Sequence, residues 1–222
     1  MRNDFRTGWK LMRYAYGIRS NCIQAGVFLL GGIVFMLTEE DGYFGVLGGL
    51  FWVSIGILPT QLISSLWVAD LVKVSPMRKK VQTVFPVAVS LICMTVVYLA
   101  ELAVGAIRCQ VTPEKTERVC HSLFFLAAMM ALLLVYLGIC YKYFVLSALC
   151  IVPAMVLWAL SSSEEQAFEF LFRDWKPGFG TVAAIGFGFL IVGALAEYLL
   201  ALLFYKAPLS RMAQAAPLRK AL

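Results

Sequence analysis

The sequence predicts an all-α polytopic membrane protein, read as a single transmembrane domain over 1–222, on three observations. Hydrophobic residues make up 61% of the chain and charged residues 14%, at a mean hydropathy of +0.83, whereas charged residues are about a quarter of an ordinary globular domain. Six apolar runs, 21–38, 44–69, 84–107, 122–140, 143–160 and 181–205, each approach the length that crosses a hydrocarbon core of about 30 Å. Basic residues alternate between the connections: with six spans, fourteen of the nineteen Lys and Arg fall on the side that holds both termini. That side is therefore the cytoplasmic one, and the location is the cell membrane. The net charge of +6 is spread beside apolar runs, not gathered on one polar face, which suits anionic lipid headgroups and argues against nucleic acid.

Taken in order, residues 1–20 place Phe5, Trp9, Met12 and Tyr16 at helical spacing, with Arg2, Arg6, Lys10 and Arg13 offset around them. This pattern predicts an interfacial amphipathic helix. The first apolar run follows without a small-residue cleavage site, so it is expected to be retained. The second is longer than one crossing needs, and Pro59 can kink or divide it. Pro86 and Pro153 predict bent or locally unwound helices in the third and fifth runs. Only Tyr141-Lys142 separates the fourth and fifth, which predicts a tight hairpin. The last outer segment, 161–180, opens with serines and acidic residues, carries Phe168, Phe170, Leu171, Phe172 and Trp175, and stops at Pro177-Gly178. It predicts a short outer helix lying in the interface between spans five and six.

The connection at 70–82 differs from the others. It holds Asp70, Lys73, Val74, Ser75, Pro76, Met77, Arg78, Lys79 and Lys80 between two long apolar runs, too short to fold alone and basic enough to be cytoplasmic. It is the expected contact with a soluble partner.

Chemistry-bearing side chains are few. Glu101 and Glu197 lie inside apolar runs, where a carboxylate is costly and should face protein, water or a partner. Glu101 falls near the outer end of its run, which suits a headgroup or interhelical role; Glu197 is deeper, and either a pathway or an interhelix role fits it. Cys109 and Cys120 flank an outer loop from Arg108 to His121. A disulfide there would contribute about 3 kcal/mol in the chain-entropy model, or the two remain thiols. Gly45 and Gly49, and Gly180, Ala184 and Gly188, form small-residue ridges that allow close helix approach. Phe51, Trp52, Trp67, Met129 and Met130 either line an apolar path or pack the core.

This layout resembles the membrane subunit of ABC-2-type transporters: an interfacial helix, six spans with both ends inside, a basic segment between spans two and three, and outer helical material between spans five and six. In that family the segment after span two contains a coupling helix that docks on a separate ATPase, and Val74-Ser75-Pro76-Met77-Arg78-Lys79-Lys80 is similar to it. The resemblance implies a cytoplasmic ABC ATPase partner that holds ATP and Mg, a second membrane subunit (a homodimer or a similar chain), and export of an amphipathic peptide, a lipid-linked molecule or a hydrophobic drug. The chain has no Walker A sequence, so it is expected to be no enzyme itself and to bind no cofactor.

Other classes fit less well. His121 is the single histidine and has no G-x-S-x-G companion for an intramembrane serine protease. Glu164-Glu165 lacks the arginine that CAAX-type proteases place four residues on, where Glu169 stands. One histidine and dispersed cysteines supply no metal cluster. The substrate-binding subunit of an energy-coupling-factor vitamin importer, of similar size and span number, is the nearest alternative; a six-span structural or immunity protein is another.

Overall fold

A computed structural model describes Lys10, 18–38, 46–67, 78–140, Tyr143, Val152, Pro153, Val156 and 177–207. The described elements are helical: α1 (Ile18–Thr38), α2 (Val46–Trp67), a short α3 (Arg78–Gln82), α4 (Val84–Val111), a 3-10 turn (Pro113–Lys115), α5 (Thr116–Cys140) and α6 (Phe179–Leu203). Four helical stretches, Ile18–Phe35, Arg78–Val111, Pro113–Cys140 and Phe179–Leu203, are long and apolar enough to cross a membrane. Within the second run, Gly48–Thr60 forms a shorter apolar stretch. The fifth run lies largely outside the described residues, as do the N-terminal interfacial segment apart from Lys10, Ile18, Arg19 and Ser20, and the expected outer segment over 161–176.

The bundle centres on α4, α5 and α6. Met94, Tyr98, Val119, Leu123, Ala127, Met130, Leu134, Val182 and Leu190 form its core. Contacts run from Gly138 to Glu197, from Ala131 to Gly193 and from Phe124 to Phe189. The numbers rise together, so α5 and α6 are parallel neighbours. Cys140 and Phe179 thus lie at opposite ends of the bundle.

On α4, Ser90 faces Glu197 and Tyr98 faces Val182, which makes α4 antiparallel to α6. Tyr98 is fully buried, donates to the Val182 carbonyl over 3.3 Å, and sets its ring edge-on to Phe187. A Cβ on Gly186 would collide with the Tyr98 hydroxyl. The absent side chain makes that crossing possible.

Helix α1 packs on α2 through Phe51, which meets Phe28 edge-on and stacks on Phe35, and through Trp52 Nε1, 3.4 Å from the Leu29 carbonyl. Phe51 and Trp52 therefore close a helix seam, and Met129 and Met130 are buried in the core. These four do not line a path within the described bundle. Ile23, Val27, Leu30 and Val34 on α1, Ile92, Val96 and Leu99 on α4, and Ile191, Leu195 and Leu199 on α6 are exposed. Apolar surface on this scale needs a nonaqueous or protein environment.

Two expectations are corrected by these helices, and a third is narrowed. Pro59 does not divide the second run, since α2 continues through it from Val46 to Trp67. The outer loop 108–121 is mostly helix: α4 runs to Val111, Thr112 N–H bonds the Arg108 carbonyl, and Pro113 opens the turn into α5. Arg, Glu and Lys lower hydropathy without opposing helix formation. Finally, Gly180, Ala184 and Gly188 face outward, and a Cβ on either glycine would meet nothing within 4 Å, so this ridge packs no described helix.

Candidate functional site

The bundle end that carries α3 contains a small cavity, mostly apolar in its walls, with a few polar groups facing in from several helices. Thr60 of α2, Gln82 of α3, Pro86 and Val87 of α4, Leu137 and Gly138 of α5, and Glu197 and Ala201 of α6 line it, with Phe204 and Tyr205 beyond α6. About 20 Å³ is open to the centre of a water-sized sphere, room for one small occupant. Every helix of the bundle except α1 contributes to its wall.

Its polar groups are deeply buried: Thr60 is 1% exposed, Gln82 4%, Ser90 0% and Glu197 2%. Ser90 Oγ lies 2.7 Å from Glu197 Oε2 and 3.1 Å from the Val87 carbonyl. A hydroxyl has one proton, and the shorter carboxylate contact takes it. Among the described residues Ser90 is the one hydrogen-bonding side chain that meets the Glu197 carboxylate. Gln82 Oε1 is buried and accepts no hydrogen bond from any described residue.

Glycine sets how α6 presents Glu197. A Cβ on Gly138 would sit 3.1 Å from both the Glu197 Cα and its carbonyl oxygen, so α5 can approach α6 here only without a side chain. The proline in α4 acts at the same level. Thr83 interrupts the helix between α3 and α4, and Pro86 has no N–H to offer the Gln82 carbonyl four residues earlier.

Directly outside the cavity, α3 presents a basic surface. Arg78, Lys79 and Lys80 are exposed whereas Val81 and Gln82 are buried. The Lys79 carbonyl accepts both the Thr83 N–H at 3.0 Å and the Thr83 hydroxyl at 2.7 Å, which ties the basic turn to α4. The Arg78 guanidinium lies 5.9 Å from the centre of the Tyr205 ring, within cation–π range. One of the cavity's lining residues therefore also touches the basic surface. Asp70, Lys73, Val74, Ser75, Pro76 and Met77, the rest of the expected partner-docking segment, lie outside the described residues.

The other candidates separate from this site. Glu101 is 0% exposed, buried beneath α2 and not at a surface: a Cβ on Gly49 would lie 3.2 Å from its Oε1 and 3.2 Å from Leu126. Eleven residues along α4 from Ser90, it is about 16 Å away at 1.5 Å per residue. Gly45, the other half of that small-residue pair, lies outside the described residues. Cys109 and Cys120 stand as free thiols, half-buried and buried. Among the described residues no group of three His, Cys, Asp or Glu gathers to hold a metal.

Sequence reasoning named Glu197 but not Ser90, Gln82 or Thr60. Pro86 was a usable signal, because a proline just inside a span frees a carbonyl near whatever polar residue precedes it. No family model, curated protein or solved structure matches the chain.

Proposed function

We propose that this chain is the membrane-spanning permease subunit of an ABC-2-type ATP-driven exporter, paired with a cytoplasmic ATPase subunit and with a second membrane subunit, a copy of itself or a similar chain. The observation that carries the reading is the α3 turn. It exposes three successive cations at one end of the bundle, and its Lys79 carbonyl is bonded twice to Thr83, the residue that leads into α4.

On this reading the end bearing α3 is cytoplasmic, as short basic connections are, and the N-terminal segment and residues 206–222 share that side. ATP and Mg are bound by the partner. Its nucleotide-driven movement pushes on 70–82, α3 transmits the push to α4, and α4 moves against α6 at the Ser90–Glu197 contact. A two-state shift of packed helices follows when both arrangements are close in energy. The exposed apolar faces of α1, α4 and α6 meet lipid or the second subunit, and the substrate is amphipathic or hydrophobic.

Replacing Arg78, Lys79 and Lys80 together with glutamate in the assembled complex tests the reading. The variant is expected to insert and fold, because none of the three side chains is buried, while ATPase association or transport coupling falls. Unchanged coupling in a normally inserted variant would contradict the role given to α3.

A further inference from the structure

We propose that the cavity between α2, α4, α5 and α6 is a binding site for one monovalent hard cation, with sodium as its ligand, held by the Glu197 carboxylate and the Gln82 side-chain oxygen. The site is independent of any ATPase partner and follows from the oxygens that converge there.

The cavity presents oxygen donors and little else that is polar. Glu197 supplies a carboxylate, Gln82 an amide oxygen, and Ser90 and Thr60 hydroxyls; the first, second and fourth of these line the space directly, and Ser90 contacts Glu197 at 2.7 Å. Oxygen ligands select hard cations over soft transition metals. One carboxylate matches one positive charge, whereas a calcium site gathers six to eight oxygens with several carboxylates among them.

Gln82 is the independent sign of an occupant. Its side chain is 4% exposed, it lines the cavity, and its Oε1 has no donor among the described residues. A buried carbonyl oxygen left without a donor costs about 1–3 kcal/mol, a cost that a cation in the cavity would remove. The backbone strengthens the assignment. Interrupted helices are a recurring place for sodium coordination in membrane proteins, and Thr83 interrupts the helix one residue after Gln82, with Pro86 unable to donate to the Gln82 main-chain carbonyl.

Charge around the site is compatible with a cation. The described basic groups beside it are on α3, whose Arg78 is drawn over the Tyr205 ring at 5.9 Å, and at the exposed Lys206, and the remaining lining residues, Pro86, Val87, Leu137, Gly138, Ala201 and Phe204, are uncharged.

The test uses the purified full-length chain in detergent at constant ionic strength, with sodium chloride exchanged against choline chloride and the unfolding midpoint followed by intrinsic fluorescence. A ligand that binds only the folded state raises the midpoint by mass action. Sodium is expected to give a saturable rise of several degrees that choline does not. Glu197→Gln should weaken the apparent sodium affinity at least about tenfold, and Gln82→Leu should weaken it in the same direction; the second variant keeps the test decisive where the first does not fold. Equal midpoints in sodium and choline would overturn the proposal and leave a cavity that holds only water. A sodium response unchanged in both variants would overturn it too, by placing the ion elsewhere.

Discussion

Ser90 Oγ donates a 2.7 Å hydrogen bond to Glu197 Oε2, joining α4 to α6 across 107 residues of sequence inside the bundle. The donor is fully buried and the acceptor nearly so. Both partners are cut off from bulk solvent, and this decides the ranking of substitutions. Ser90→Ala leaves the carboxylate without its described donor and should destabilise by about 1–3 kcal/mol. Glu197→Gln keeps an acceptor oxygen for Ser90 and should cost less. Denaturant midpoints of the two variants in one detergent check the order, and a larger loss for Glu197→Gln would refute it.

Gly138 and Gly188 should respond in opposite ways to the same added methyl. At Gly138 the new Cβ would press on backbone atoms of Glu197 at 3.1 Å, which cannot swing aside, so Gly138→Ala should cost about 1–3 kcal/mol. At Gly188 nothing lies within 4 Å, and the alanine should stabilise the helix by up to about 1 kcal/mol. Thermal midpoints of the paired variants would show the difference.

Four of the apolar runs were legible in the sequence as long helices, because apolar runs of span length are a property of composition and order. Glu197 was legible for the same reason: one carboxylate stands out in an apolar run. Its surroundings were not. Ser90, Thr60 and Gln82 are residues that often satisfy themselves on their own helix, and nothing local says that α2, α4 and α6 bring them to one level. Small-residue spacing was incomplete in a related way. The Gly180-Ala184-Gly188 ridge has the right period but faces outward, while Gly138, Gly186 and Gly193 do the packing without a recognisable motif. Period identifies a face, and only topology identifies its neighbour.

Tyr98 offers a third test. Its hydroxyl donates to the Val182 carbonyl at 3.3 Å, and its ring fills the space left by Gly186. Tyr98→Phe should lose about 0.5–1.5 kcal/mol and Tyr98→Ala about 3–5 kcal/mol, as a large aromatic deletion in a packed interior does. Similar values for both would mean that the ring contributes little to the α4–α6 seam.

Thr83 should govern how firmly the basic turn moves with α4. Its hydroxyl adds a second bond, 2.7 Å long, to the Lys79 carbonyl already held by its N–H. Thr83→Val removes that bond and buries a methyl in its place, so stability should change by about 1 kcal/mol or less. Local amide exchange over 78–83 should nevertheless become faster. Exchange as slow as in the unmodified chain would show that the hydroxyl does not stiffen the turn.

The most direct measurement is a mild-detergent purification of the tagged chain, followed by mass spectrometry of the copurifying proteins and an ATPase assay on the eluate. The account predicts a Walker-motif ATPase with vanadate-sensitive turnover, together with a second copy of this chain or a similar membrane subunit. A chain recovered alone and inactive from membranes shown to contain its candidate ATPase, or recovered with a scaffold and a bound vitamin, would contradict it.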